Sequence, residues 1–253
     1  MHVKYRFMNR LSVVIITMNE ERNIRRCLDS VMPVADEIIV VDSHSTDATP
    51  AICSNYPVRF VTHDWEGYIG SKNFGNTLAT NNLVLSIDGD EALSPELAES
   101  ILRIKSEVVS DQVFSMNRLM NYCGQWIHHG GWYPDTKIRI FNPREVKWTG
   151  QKVHETLDLP KETQVVHLQG DLYHYSFYTP EEHRRQMERF AVLSAEEMAA
   201  RGKRPSLFSA GLHTGWKFLR DYVFKTGFLD GKMGLTISKI NAYGVWLKYR
   251  IRP

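Results

Sequence analysis

The segment Ser86-Ile87-Asp88-Gly89-Asp90-Glu91 ends an apolar run with three carboxylates in four residues. Carboxylates held this close repel one another. An oxygen-only set of this kind suits a divalent cation, Mg²⁺ or Mn²⁺, of the sort that also bridges phosphates. The alternative is an ordinary acidic Asp-Gly turn. A second run, Val40-Val41-Asp42-Ser43-His44-Ser45-Thr46-Asp47, also ends on a carboxylate. Asp42 could accept hydrogen bonds from a nucleobase or ribose. Ser45 or Thr46 could equally cap a helix, with Asp47 favouring the dipole of its first turn. In Gly70-Ser71-Lys72-Asn73-Phe74-Gly75, glycines and a lysine at a helix start could contact a phosphate, or Lys72 could lie on a solvated face.

The second half of the chain adds further groups. His128-His129-Gly130-Gly131-Trp132-Tyr133 reads as a flexible loop whose aromatics could stack on a sugar. Zinc at the paired histidines is disfavoured, because adjacent residues of extended chain point to different sides and no HExxH or CxxC partner exists. Arg139, in Lys137-Ile138-Arg139-Ile140-Phe141, could hold a phosphate or pair with a nearby acid. In Val153-His154-Glu155, the acid could be a base or a surface partner of Lys152. His154 could join a metal shell, orient the base, or simply be hydrogen-bonded.

The elements that must position these groups alternate between strand and helix. Residues 11–17, 37–42, 58–62 and 83–88 are short apolar, β-branched runs, as expected of strands buried on both faces. Helical spacing follows at 19–31, 46–53 and 71–79, and a helix from Pro95 to about Val109 opens on Ser94 as N-cap. Repeated β-α-β units predict a parallel sheet covered by helices. Ligands bind such sheets beyond the carboxyl ends of the strands, where Thr17, Asp42 and Asp88 fall. After residue 112, short strands at 113–118, 125–127 and 137–141 predict mixed or antiparallel pairing. A long helix over 180–201 opens on Thr179-Pro180-Glu181-Glu182 and ends at Gly202 and Pro205.

Taken in order, these segments resemble the family 2 glycosyltransferases, which have the GT-A fold. The match runs from Leu11 to about Phe141. It takes in Thr17-Met18-Asn19-Glu20, Val41-Asp42-Ser43-His44-Ser45-Thr46-Asp47, Lys72-Asn73-Phe74-Gly75 and the Asp88-Gly89-Asp90 form of the DxD motif. The family commonly carries two adjacent acids where this chain has Asp42-Ser43, which leaves one carboxylate fewer for base and ribose. Asn19-Glu20-Glu21, the Asp42 segment and Val153-His154-Glu155 look like bacterial glucosyltransferases of the lipopolysaccharide core. The resemblance implies a GT-A domain over 1–204, with a nucleotide-binding half at 10–110 and an acceptor half at 111–204. It implies that Thr17, Asn19, Glu20 and Asp42 line the nucleoside pocket, that Lys72 approaches the base or diphosphate, and that Asp88 sits near the ribose. Asp90 would bind the metal, with His154 as a further ligand. The implied reaction moves a sugar from a UDP-sugar to an acceptor hydroxyl with inversion, assisted by Mg²⁺ or Mn²⁺ and by a carboxylate base. Glu155 stands where many members carry an acidic catalytic motif, and Asp135 is the second candidate. Trp132, Tyr133 and Arg139 would contact acceptor or phosphate.

Charge divides the chain unevenly. Residues 203–253 hold 10 Lys/Arg against 2 Asp/Glu, whereas the first 202 hold 21 against 27. The same 51-residue tail carries nine of the 28 aromatic residues, and Trp216, Leu219, Val223 and Phe224 can share one helical face. Basic residues beside an aromatic stripe suit an anionic membrane surface, in keeping with a glycolipid acceptor; the other reading is a helix packed on the catalytic domain. The acidic body and the lack of a binding motif argue against nucleic acid. Cys27, Cys53 and Cys123 are too few and too widely spaced for a disulfide framework. No secretory signal and no membrane-spanning run are visible, so the expected place is the cytoplasm, peripheral on the inner face of the membrane. A nucleotidyltransferase would use similar metal ligands, but usually with a glycine-rich loop where this chain has Thr17-Met18-Asn19-Glu20-Glu21. A glycan-binding scaffold would not need Asp88-Gly89-Asp90.

Overall fold

The computed structural model describes residues 9–106, 112–151, 154–202 and 206–251. In chain order the elements are β1 (Leu11–Thr17), α1 (Ile24–Val31), β2 (Glu37–Asp42), α2 (Thr49–Cys53), β3 (Arg59–Thr62), α3 (Gly67–Leu78), β4 (Leu83–Asp88), β5 (Glu91–Leu93) and α4 (Pro95–Lys105). They continue with β6 (Gln112–Tyr122), β7 (Gln125–Ile127), β8 (Asp135–Phe141), β9 (Lys147–Gln151), β10 (His154–Asp158), β11 (Gln164–Phe177) and α5 (Pro180–Ala200). The last are α6 (Leu207–Leu219), a π-helical turn (Arg220–Phe224), a 3₁₀ turn (Gly227–Asp230) and α7 (Gly231–Arg250).

The main sheet has the order β3-β2-β1-β4-β8-β6-β11-β5, with β7 paired to β6. The first four strands are mutually parallel, and β8 runs antiparallel to β4. This is the Rossmann-like half expected of a GT-A domain, followed by the mixed pairing expected after residue 112. Register fixes the functional rim: Thr17 lies opposite Asp42, and Ile16 opposite Asp88. Every residue of β1 is buried. Alternate side chains serve opposite faces. Val13 and Ile15 join Ile24, Leu28, Leu97 and Ile101 of α1 and α4, while Val14 and Ile16 pack with Phe74 and Leu78 of α3. Gly75 lets α3 come this close, since a Cβ there would stand 2.5 Å from Val14 Cγ1.

Helix ends follow the local signals. Ser94 caps α4 by accepting the Leu97 amide hydrogen, and Thr179 and Glu182 form a capping box at α5. Helix α1 starts at Ile24 rather than Asn19, because Asn19 takes a left-handed φ of 57° and binds a neighbouring loop instead. The β9–β10 hairpin, β5 and the long β11 have no counterpart in the sequence reading.

The chain forms two compact units. One comprises residues up to Arg118 with Thr136–His174; the other comprises Leu119–Asp135 and the residues from Tyr175 on. The sequence places a boundary at residue 204. In the structure residues 206–251 group with α5 and with Leu119–Asp135, because α7 packs along both α5 and α6. The core of this second unit holds Tyr122, Ile127, Phe177 and Ile237. His183 is buried among Tyr122, Trp132 and Phe177.

Candidate active site

The site lies in the first unit, at the end of β4. The Asp88 amide donates to Glu91 Oε2 at 3.0 Å, so the turn closes on its own acid and Glu91 is fully buried. Gly89 is required here: a Cβ would meet Thr17 Oγ1 at 2.8 Å and Glu20 Cγ at 3.3 Å. Lys72, on α3, is fully buried. Its Nζ stands 3.1 Å from Asp88 Oδ1 and 3.2 Å from Glu155 Oε1, and 4.8 Å from the centre of the Trp148 ring. Arg139, on β8, reaches Glu91 Oε1 at 2.7 Å and Asp88 Oδ2 at 3.4 Å, while Arg118 shares Glu91 at 3.4 Å.

Buried charges survive only when paired, and this cluster alternates them. Burial pushes the Asp88 carboxyl up, but Lys72 and Arg139 outweigh it and hold the group well below the usual carboxylate range. Burial works against the Arg139 charge too, yet Glu91 and Asp88 raise its pKa above the ordinary value. A solvated Lys72 is therefore excluded, and Glu155 faces Lys72. A cavity of about 440 Å³ opens beside the cluster, lined by Arg118, Lys137, Arg139, Trp148, Glu155 and Leu157 among others.

A second group surrounds Asp90. Its Oδ2 lies 3.1 Å from His174 Nε2 on β11. Glu20 has a pKa raised to about 7, first by burial and then by the charge of Asp90, against a hydrogen bond from Asn23. Thr17 Oγ1 is buried without a hydrogen-bond partner. Among the described residues no three His, Cys, Asp or Glu side chains gather as metal ligands. Asp90 and His174 nevertheless fit a divalent cation: they offer two donors side by side, and the charge that Asp90 adds to the burial of Glu20 is one a cation would offset.

The nucleoside candidates on the other strand ends are tied to each other. Asp42 accepts from the Ser45 amide at 2.9 Å and from the Ser45 hydroxyl at 2.5 Å. Asn19 donates its amide to Ser45 Oγ at 2.7 Å, and Asn19 Oδ1 accepts from the Thr46 amide at 2.8 Å. The Glu20 amide donates to Thr49 Oγ1 at 2.8 Å. Asp47 accepts from the Thr49 and Glu21 amides, which is a loop-fixing role.

Lys72, Asp88, Arg139 and Glu155 are thus brought together, and Glu20 and Asp90 form a second group. Arg139 is paired with acids of its own chain. Trp132, Tyr133 and Asp135 belong to the second unit, where the Trp132 ring packs edge-on to Tyr122 and Tyr133 edge-on to His128. His154 lies in the backbone of β10, but its side chain falls outside the described residues, as do Lys152 and Val153. His174, Glu91, Arg118 and Trp148 are additions from the structure. His174 gives no spacing signal, because its partner Asp90 is 84 positions away.

The model for glycosyl transferase family 2 matches residues 12–156, more than half of the chain, and the chain belongs to that family. It is a glycosyltransferase. It is 29% identical over 250 residues to an uncharacterized glycosyltransferase of Rickettsia typhi, covering 95% of this chain and 86% of that one. It is 27% identical over 263 residues to the lipopolysaccharide core biosynthesis glycosyltransferase LpsC of Rhizobium meliloti, covering 96% and 94%. Among solved structures it is similar to S. aureus TarS 1–349 in complex with UDP-GlcNAc, with a TM-score of 0.46, 18% identity and coverage of 92% and 79%. It is also similar to the Mycobacterium tuberculosis glucosyl-3-phosphoglycerate synthase in complex with Mn²⁺ and UDP-glucose, with a TM-score of 0.38, 22% identity and coverage of 45% and 44%.

Proposed function

We propose that this protein is an inverting, metal-dependent glycosyltransferase that moves a sugar, glucose by resemblance, from a UDP-sugar to a hydroxyl of a glycolipid such as a lipopolysaccharide core precursor. The observation that carries this reading is Lys72, fully buried between the carboxylates of Asp88 and Glu155. A buried lysine between two carboxylates is an expensive arrangement unless it orients chemistry. Thr17, Asn19, Glu20 and Asp42 line the nucleoside side, and Asp88 serves the ribose. Asp90 and His174 would hold the cation, which when bound supplies Lewis-acid neutralisation of the leaving diphosphate. Glu155, oriented by Lys72, takes the proton of the acceptor hydroxyl as that oxygen attacks the anomeric carbon from the face opposite the leaving group. Asp135 is the alternative base. The open cavity beside Glu155 admits the acceptor, with Arg139 fixing the acids around it.

The acceptor class is supported by the name of LpsC and the donor by the family resemblance. No helix among the described residues is long and apolar enough to cross a membrane. The reading places the protein at the cytoplasmic face, by peripheral contact through the basic, aromatic residues 205–253.

Thermal unfolding with UDP and Mn²⁺ tests the donor site. A ligand that binds only the folded state raises the midpoint, by about 2.7 kcal/mol of stability at 100 times its Kd. The shift should need both components and should vanish in Asp90→Ala; a metal-independent shift would remove the cation from the reading. Glu155→Gln should keep the UDP shift and lose transfer by roughly 10²–10⁴-fold, and near-normal transfer would move the base to Asp135.

A further inference from the structure

The apolar side chains of the C-terminal region are not all hidden. Phe208, Leu212, Trp216, Leu219 and Val223 recur at spacings of four, four, three and four, which is one face of a helix. That face runs along α6 into the π-helical turn, and its residues are 42–77% exposed. Phe224, Phe228 and Leu229 extend it and are exposed as well. The opposite side of the segment is the one that packs: Ala210 and Asp221 are buried, and α6 lies against α7. A run of large exposed apolar side chains on this scale marks an interaction site.

Charge decides what it fits. Between residues 206 and 232 the acids are Asp221 and Asp230, and both are buried. Asp221 is held by Lys217 and Arg220 at 2.7 and 3.0 Å. Asp230 accepts from the amides of His128 and His129 and pairs with the His129 ring at 2.9 Å. Lys225 and Lys232 are exposed. The outward surface is therefore apolar and aromatic with a cationic border and without an exposed acid, which complements an anionic lipid leaflet.

Two aromatics of α7 are turned to other work. Tyr243 bonds Glu188 and lies under Arg184, and Tyr249 stacks on His213. The same exposed segment also holds the His128–Gly131 loop. Besides the Asp230 contacts, Lys225 O accepts from the Gly130 amide at 2.9 Å, and a Cβ on Gly131 would collide with the Lys225 side chain.

We infer that the exposed face of α6 and the two turns after it, and not α7, docks the protein on an anionic bilayer, and that the loop carrying Trp132 and Tyr133 is built on this docking segment. The inference deepens the glycolipid reading above, on which its purpose rests.

Flotation of the full chain with vesicles tests it, using phosphatidylcholine alone and equal parts phosphatidylcholine and phosphatidylglycerol. The mixed vesicles should bind the protein, and added salt should weaken binding. Trp216→Ser with Phe224→Ser should reduce binding at least tenfold. Lys225→Gln with Lys232→Gln should reduce it roughly fivefold per lysine while leaving any residual binding to neutral vesicles unchanged. Val165→Ser, an exposed apolar residue elsewhere, should change nothing. Equal binding by the wild type and both double variants overturns the inference. So does a wild-type dimer in sedimentation that the Trp216/Phe224 variant dissociates, with no vesicle binding, because the occupant is then a second copy. The UDP and Mn²⁺ shift, measured on the same preparations, should be unchanged, so that failure of the docking surface and failure of the donor site are read separately.

Discussion

In the unit that carries the carboxylate cluster, Lys72 and Glu91 are fully buried and Arg139 nearly so, and the β-branched side chains of β1 are hidden on both faces of the sheet. In the unit that carries α5 to α7, the interior is aromatic around a single imidazole, and large apolar side chains from Phe208 to Leu229 face outward. The first unit spends stability on desolvated charge; the second leaves apolar surface in water. Both arrangements are costly in an isolated chain, and each makes sense once a ligand or a surface is supplied. Costs of this kind concentrate where proteins bind and react.

The strongest way to break the contrast is Lys72→Met. It strands Asp88 and Glu155 without their shared cation, and removing one partner of a buried ion pair costs about 3–5 kcal/mol. Urea unfolding should show a loss of that order, together with loss of transfer. A loss below about 1 kcal/mol would mean that the carboxylates rehydrate and that the cluster is looser than the distances state.

The contrast is sharpened next by pH, because the two units respond with opposite sign. Glu20 has its folded pKa raised to about 7 from 4.5, so the folded state holds the proton more tightly. In the metal-free protein its contribution is favourable at low pH and is lost as pH rises from 4.5 to 7, by on the order of 3 kcal/mol. Glu20→Gln should remove that loss. His183 has its folded pKa lowered to about 4 from 6.5 by burial, against a hydrogen bond to Asn241. Its neutral form is the folded one, so stability is retained above pH 6.5 and lost as pH falls toward 4, again by on the order of 3 kcal/mol. Urea midpoints followed from pH 4 to 8 in the wild type, Glu20→Gln and His183→Phe should separate the two slopes. Slopes of the same sign would contradict the assignment.

The smallest effect falls on the exposed face. Trp216→Ser should change stability by no more than about 0.5 kcal/mol, as for surface substitutions generally. Trp148→Ala, at a buried ring beside Lys72, should cost about 3–5 kcal/mol. Equal costs at the two tryptophans would show that α6 is covered in the free protein.

Much of this was legible because it is local. Continuous β-branched runs specify β1, β2 and β4, and a parallel arrangement of such strands brings Thr17, Asp42 and Asp88 to one rim whatever the rest does. Ser94 and the Thr179–Glu182 pair announce their helices through capping groups within four residues. The aromatic and basic composition of the tail was equally plain, but composition could not say which of its aromatics turn inward.

What sequence by itself determined is the alternation of strand and helix, the family, and the identity of the acids at the strand ends, all of which follow from spacing over a few residues. Only the tertiary structure decided their partners. Lys72 meets Glu155 across 83 positions and Asp90 meets His174 across 84. The burial of Asp221 and Asp230 and the outward turn of Trp216 likewise depend on how α7 packs. The physical reason is that charge pairing and desolvation are set by distance in space, which one chain's local pattern does not encode.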